Sequence, residues 1–179
     1  DRRQRQMCIR DRVGRTLLNE YGDDVKIRAR AHAAAGSDAR MSGCSLPVVI
    51  NSGSGNQGMT VSLPVIEFAK EWNVSQEKLY RALVVSNLIA VHQKKYIGSL
   101  SAYCGAVSAG CGAGAAITYL SGGSYEDVSL TIVNTIGNVG GIVCDGAKSS
   151  CAAKIASAVD AAILAHYMGC LLYTSDAAD

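Results

Sequence analysis

The chain has 179 residues, a formal net charge of +2 at pH 7, 49% hydrophobic residues and 18% charged residues. This length and composition are typical of one folded domain with a buried core, and they exclude a disordered tail. The near-neutral charge argues against a nucleic-acid-binding protein. Because glycines number 19 and aromatic residues only 6%, we expect a core of small aliphatic side chains in close contact.

The two ends of the chain do not continue the pattern of the sequence between them. Residues 1–12, DRRQRQMCIRDR, and residues 171–179, LLYTSDAAD, resemble translated adapter sequence, and we interpret both as non-native. Residues 13–170 are then one partial catalytic domain of a protein that extends past both ends. The alternative for residues 1–12 is a basic N-terminal arm.

The first third of the predicted domain is polar and rich in turn-forming residues. Residues 13–43 predict one strand or helix followed by a loop. Residues 44–64 are rich in Gly, Ser and Asn and predict further turns. Pro64 suits the first turn of a helix over residues 63–72, since proline is tolerated where the backbone N–H has no helical partner.

Helices dominate the rest of the predicted domain. Ser75 is a suitable N-cap for a helix over residues 75–96, which carries an apolar stripe of helical period. The sequence SYED at 124–127 matches a capping box before the next helix. A final Ala-rich helix is predicted over residues 149–168. The fold class is therefore predicted to be mostly α.

The segment at 99–120 is predicted to be a buried helix that is rich in Gly and Ala. Fourteen of the twenty residues in 101–120 are Gly, Ala, Ser or Cys, which allows neighbouring backbones to approach closely. Residues 96–125 carry no charge, and Gly110 and Gly114 form a GxxxG pair, as in some membrane helices. A spanning helix needs about 20 predominantly apolar residues, and the many Ser and Gly residues here favour a buried helix away from membranes.

Three of the cysteines occupy positions that suit metal binding. The sequence shows no secretory leader, so we expect a cytoplasmic protein, in which metal-binding or catalytic thiols are commoner than disulfides. Cys104 precedes the buried helix, Cys144 follows a Gly-rich turn and Cys151 opens the last helix. Helix N-termini stabilise thiolates, and three thiolates on one metal centre leave one coordination position open. The spacing also allows core packing, since free cysteines are among the most buried residues, and Cys-x6-Cys is not a standard zinc signature.

Four segments together resemble the L-cysteine desulfidase family, which is related to the alpha domain of the iron–sulfur L-serine dehydratases. They are NSGSGNQGMTVSLPV, GSLSAYCGAVSAG, ITYLSGGSYEDV and NTIGNVGGIVCDGAKSSCAAKIASAVDAAILA. The resemblance covers about Cys44 to Ala165. Where the dehydratases have CDP and CQG motifs, this chain has CDG and CGA.

The resemblance implies a helical serine-dehydratase-alpha-like domain with a [4Fe–4S] cluster. The cluster ligands would be Cys104, Cys144 and Cys151, and one iron would have no protein ligand. That iron would act as a Lewis acid in the β-elimination of L-cysteine to pyruvate, ammonia and sulfide, or in the related dehydration of L-serine. The expected partner is this small amino acid, and a homo-oligomer is compatible with the sequence.

A polar loop is the predicted substrate-binding element. Its hydroxyls, amides and backbone N–H groups suit the carboxylate of a small zwitterion, and the resemblance assigns the same role to the corresponding loop. The predicted residues are Ser52, Gly53, Ser54, Gly55, Asn56 and Gln57.

Some assignments stay open at this stage. His92, Lys94 and Lys95 end a helix, where cations suit the helix dipole, and none of them is assigned as the base that removes the α-proton. Cys111 is the alternative ligand to Cys104. A non-catalytic helical membrane or scaffolding protein, or a zinc-bound structural domain, is the alternative to an enzyme.

Overall fold

The computed structural model describes residues 12–98 and 101–172. These residues form no β-strand. They form seven α-helices: α1 (Val13–Tyr21), α2 (Val25–Met41), α3 (Gly55–Glu71), α4 (Gln76–Ile97), α5 (Gly105–Ser121), α6 (Tyr125–Val139) and α7 (Ser150–Leu172). The predicted mostly α fold is therefore confirmed. Residues 1–11 and 173–179, which make up most of the two ends interpreted as non-native, lie outside the described residues.

Helix α5 is the centre of the domain, as its small residues predict. Almost every residue of α5 is buried, and the helix packs against α3, α4, α6 and α7. A methyl group built on Gly112 would lie 2.3 Å from the backbone oxygen of Ser86 in α4, and one built on Gly110 would lie 3.0 Å from the backbone oxygen of Ala158 in α7. Only glycine allows approaches this close. No helix in the described part of the chain has both the length and the apolar character needed to cross a membrane.

Two of the predicted helix starts are confirmed by their capping hydrogen bonds. The side chain of Ser75 accepts from the backbone N–H of Lys78 at 3.3 Å. At the start of α6, Ser124 Oγ accepts from the N–H of Asp127 at 3.2 Å, and Asp127 Oδ2 accepts from the N–H of Ser124 at 2.7 Å. This reciprocal pair is the capping box that SYED predicts.

The prediction for the first third of the domain was wrong in two respects. Residues 13–43 form two helices, α1 and α2, instead of one element and a loop. Helix α3 begins at Gly55, inside the segment predicted as turns, so Pro64 lies in the middle of the helix instead of its first turn. Proline in a helix interior removes one backbone hydrogen bond. Close to this break, Ser86 Oγ donates to the backbone oxygen of Val61 at 2.7 Å, which ties α4 to α3.

The glycines of the early segment serve packing as well as turns. A methyl group built on Gly58 would lie 1.9 Å from the backbone oxygen of Val49, so the extended segment before α3 runs directly over the helix. This contact places the first turn of α3 beneath residues 48–50. The same turn carries three of the predicted substrate-binding residues.

His166 belongs to a polar network inside the core. Its Nδ1 lies 2.9 Å from Thr118 Oγ1, which in turn lies 2.9 Å from Thr131 Oγ1. The network links α5, α6 and α7. Burial lowers the pKa of His166, because the charged imidazolium loses its hydration.

Candidate functional site

A cleft of about 300 Å³ collects the three predicted metal ligands and half of the predicted substrate loop. The predicted residues that line it are Cys104, Cys144, Cys151, Ser54, Asn56 and Gln57. The rest of the lining is formed by Lys94, Ser101, Tyr103, Gly105, Ala106, Gly146 and Ala147. Thiols that are 40 residues apart in the sequence therefore face one cavity.

A short backbone pairing brings Cys104 and Cys144 side by side. The N–H of Cys104 donates to the carbonyl of Ile142 at 2.9 Å, and the N–H of Cys144 donates to the carbonyl of Ala102 at 2.6 Å. These bonds frame one antiparallel bridge between the two segments. Backbone hydrogen bonds therefore hold Cys104 and Cys144 next to each other, without any contribution from their side chains.

Three helices begin at the cleft. Cys104 is the N-cap of α5, Ser54 is the N-cap of α3, and Cys151 is the second residue of α7. A helix N-terminus carries free N–H groups and a partial positive charge. The cleft is therefore surrounded by positive helix ends, which favour thiolates and substrate carboxylates alike.

The three thiols differ in exposure and influence one another. Cys104 and Cys151 are buried, whereas Cys144 is exposed. Burial raises the pKa of Cys104, and the nearby Cys144 and Cys151 raise it further against the opposing effect of backbone amides in α5. A positive charge among the sulfurs would offset the cost of ionising Cys104. A bound metal centre would supply that charge.

Asp145 organises the loop that carries Cys144. It accepts a hydrogen bond from Lys154 of α7, and Lys148 lies 3.2 Å away. These two ammonium groups, Lys154 first, lower the pKa of Asp145 to about 2. Asp145 is therefore an anion at neutral pH, held between two cations outside the lining of the cleft.

The predicted substrate loop divides into two parts. Ser52 and Gly53 form a turn with φ values of 48° and 81° and do not line the cleft. Gly55 is buried against the side chain of Arg40, where a methyl group would lie 2.8 Å from Nε. Arg40 also donates to Asn56 Oδ1 at 3.1 Å. Arg40 therefore fixes the side-chain oxygen of Asn56, a residue that lines the cleft.

Among the described residues that line the cleft, Lys94 is the single Lys, Arg or His. The sequence grouped it with His92 and Lys95, but neither of those residues lines the cavity. His92 instead packs its ring on Tyr96, with ring centroids 5.0 Å apart. Tyr103 and Ser101 also line the cleft, and no motif in the sequence singles them out.

Cys111 belongs to a neighbouring cavity and not to the cleft. That cavity of about 320 Å³ lies between α4, α5 and α6 and is bordered by Val107, Ile136 and Val139 as well as by Cys104. Cys111 is fully buried, and burial raises the pKa of its thiol to about 12. It therefore behaves as a small core residue.

No group of three or more His, Cys, Asp or Glu side chains in the described residues is placed to hold a single metal ion. A structural zinc site uses four such ligands at about 2.0–2.3 Å from one ion. An iron–sulfur cluster requires a different arrangement of ligands, because each cysteine binds a different iron at the edge of the cluster. Three free thiols around a cavity of about 300 Å³ fit that arrangement in their number and chemistry.

The fold and the cleft together define a helical domain that presents three cysteines and a polar loop to one small cavity. The sequence model of the serine dehydratase alpha chain family matches residues 2–175, so the chain belongs to that family. The family takes its name from a lyase. No solved structure matches the chain.

Several relatives are named UPF0597 protein. The one from Lachnoclostridium phytofermentans is 74% identical over 153 residues, which are 86% of this chain and 37% of that protein. The one from Desulfitobacterium hafniense is 69% identical over 156 residues, 87% of this chain and 36% of that protein. The one from Treponema denticola is 65% identical over 159 residues, 86% of this chain and 37% of that protein. The chain thus spans a little over a third of the length of these curated relatives.

Proposed function

We propose that this chain is the cluster-binding part of an iron–sulfur-dependent lyase that catalyses β-elimination of L-cysteine, or the related dehydration of L-serine. The observation that carries the proposal is the cleft in which Cys104, Cys144 and Cys151 face Ser54, Asn56 and Gln57. Membership of the serine dehydratase alpha chain family supports a lyase. The cysteine desulfidase activity in particular rests on the sequence resemblance.

The three cysteines would hold the cofactor, a [4Fe–4S] cluster. Three protein ligands would leave one of its irons without a protein ligand, so the cluster would supply a Lewis acid to the cleft. The positive helix ends around the cleft favour the thiolate form that binds iron.

The residues of the polar wall would bind and orient the amino acid. Asn56 and Gln57 present amide groups to the cleft, and the N-terminus of α3 adds backbone N–H groups that suit a carboxylate. Lys94 adds a positive charge to the same wall. An amino acid bound at this wall would lie in the same cleft as the three cysteines.

The proposed reaction is balanced without another cofactor. L-cysteine loses its α-proton and its β-thiol as hydrogen sulfide, which leaves aminoacrylate. Addition of water then releases ammonia and pyruvate. For L-serine the leaving group is water. We also propose that the protein works in the reducing cytoplasm, since the six cysteines of the described residues are all free thiols.

The test is anaerobic reconstitution of the chain with iron and sulfide, followed by iron and acid-labile sulfide analysis. The Lachnoclostridium phytofermentans relative, assayed alongside, supplies a full-length protein for turnover of L-cysteine and L-serine. We expect about four irons per chain, as the name of the cluster requires. The Cys144→Ala variant should lose the cluster, while the matched Cys44→Ala variant, altered outside the cleft, should keep it.

Two results would contradict the proposal. One is a folded chain and a folded relative that both hold no iron after reconstitution. The other is equal iron content in the Cys144→Ala and Cys44→Ala variants. Circular dichroism before reconstitution shows whether each variant is folded.

A further inference from the structure

Lys154 lies where its own helix disfavours a cation. It is the fifth residue of α7, close to the positive N-terminus of that helix. A positive side chain near a helix N-terminus is unfavourable because it lies close to the positive end of the helix dipole. The position of Lys154 must therefore be compensated by other contacts.

The compensating contacts lie on the loop that carries Cys144. Lys154 Nζ donates to the backbone oxygen of Val143 at 3.1 Å and to the carboxylate of Asp145. Val143 and Asp145 are the two neighbours of Cys144 in the chain. Lys154 therefore forms hydrogen bonds with the residues on both sides of Cys144.

The same ammonium group also carries charge toward the other two thiols. The pKa of Lys154 is raised first by its hydrogen bond to Asp145, and to a lesser degree by the negative charges of Cys104 and Cys151. The Lys154 side chain is only 21% exposed, so water screens this charge less than at an open surface. One side chain thus binds the loop of Cys144 by hydrogen bonds and adds a weaker electrostatic interaction with Cys104 and Cys151.

We propose that Lys154 is a positioning residue for the cluster, which fixes the Cys144 loop on α7 and supplies positive charge beside the three thiolates. The inference rests on the proposed function. It has two separable parts: the hydrogen bonds hold the loop in place, and the charge stabilises the reduced cluster relative to the oxidised one.

The test compares variants of the anaerobically reconstituted chain by two measurements. The first is the rate at which a ferrous chelator removes iron, and the second is the midpoint potential of the cluster from an EPR-monitored titration. In Lys154→Met, we expect iron loss to be faster by about 10-fold, as for other residues that support metal ligands. The midpoint potential should become more negative, because reduction adds an electron where a positive charge has been removed. Lys154→Arg should stay close to the wild-type chain in both measurements.

Two further variants separate the role of Lys154 from a general loss of structure. Asp145→Asn also weakens the link between loop and helix, but it removes a negative charge. It should accelerate iron loss while shifting the potential in the positive direction, opposite to Lys154→Met. Lys148→Met is the matched control, since the Lys148 side chain is 55% exposed and forms an ion pair with Asp145. It should retain iron at nearly the wild-type rate.

The outcomes distinguish this inference from the proposed function. If the wild-type chain and the full-length relative bind no iron, the proposed function fails. If wild-type protein binds the cluster and Lys154→Met keeps the same iron-release rate and potential, only the inference is overturned. Potentials that shift in the same direction in Lys154→Met and Asp145→Asn would overturn the charge part. Should Lys154→Met not fold, Lys154→Gln and Asp145→Asn are read against the same criteria.

Discussion

The side-chain amide of Gln57 lies against the backbone of Gly105, the residue that follows Cys104. A methyl group built on Gly105 would lie 2.8 Å from Gln57 Nε2. This contact joins the first turn of α3 to the first turn of α5, and hence the polar wall of the cleft to one of its cysteines. The space left by the missing side chain of Gly105 is therefore where the Gln57 amide rests.

A Gly105→Ala variant should displace Gln57 at little cost in stability. The atom in the way is the end of a flexible side chain, and alanine suits the first turn of a helix better than glycine does. We expect the melting temperature to change by only a few degrees, while KM for the amino acid rises several-fold and iron content is unchanged. Steady-state kinetics with reconstituted protein measure this.

A double-mutant cycle provides the control for that prediction. In a Gln57→Ala background, Gly105→Ala should have no further effect on KM, because the group that it displaces is gone. If the effects of the two substitutions on KM are additive, the contact between Gln57 and Gly105 is not the cause of the rise in KM.

The buried thiols of α5 should respond differently to substitution. Cys104 borders the cleft, whereas Cys111 lines only the neighbouring apolar cavity. Cys111→Ala should therefore keep its iron and lose roughly 1 kcal/mol of unfolding free energy, the usual effect of removing one buried atom of this size. Cys104→Ala should lose the cluster. Iron analysis and urea denaturation measure both, and loss of iron from Cys111→Ala would identify Cys111 as the ligand instead.

Local signals predicted the helices that depend on local chemistry. Ser75 and Ser124 are followed by the residues that complete their caps, so both helix starts were visible in the sequence. The small residues of α5 predicted a buried helix, since a run of small side chains lets neighbouring backbones approach closely. These features need no knowledge of distant parts of the chain.

The errors arose where a distant contact decides the local structure. Gly58 looks like a turn residue, yet it lies inside α3, where the backbone oxygen of Val49 comes too close for any side chain. Pro64 looks like a helix start, yet it lies in a helix whose neighbour α4 donates a hydrogen bond beside it. The role of Lys94 at the cleft was equally hidden, because only the packing of α4 on α5 brings it there. Such contacts join residues that are far apart in sequence.

Gly112 should tolerate no side chain. A methyl group there would lie 2.3 Å from a backbone oxygen of α4, which cannot move without displacing the helix. We expect Gly112→Ala to lower the unfolding free energy by about 2–4 kcal/mol. The matched control is Gly137→Ala in α6, where a methyl group meets nothing within 4 Å. That variant should gain about 0.5–1 kcal/mol, since glycine weakens a helix interior. Equal losses in both variants, measured by urea denaturation, would contradict the close packing of α4 on α5.

Glu67 gives the fold a stability that depends on pH in the acid range. Its carboxylate lies 2.9 Å from His32 Nδ1 and 3.0 Å from Lys70 Nζ, and its side chain is only 8% exposed. Burial alone would raise the pKa of Glu67, but these two partners lower it from 4.5 to about 2. A carboxyl group whose pKa is lower in the folded state stabilises the protein fully above its unfolded pKa. This contribution should therefore decline as the pH falls from about 5 to 2.

The variant Glu67→Gln should lose about 2–3 kcal/mol of unfolding free energy at pH 7, because it removes one partner of a buried ion pair. The difference from the wild-type chain should shrink as the pH falls through 4.5 toward 2, where the wild-type carboxylate also loses its charge. Urea denaturation at pH 7, 5 and 3 measures this trend. Glu77→Gln is the control, since the Glu77–Arg81 pair is 75% and 67% exposed and contributes less than about 0.5 kcal/mol. If the difference in unfolding free energy between the wild-type chain and Glu67→Gln stays constant over this pH range, packing links α2 to α3, and the charge of Glu67 does not.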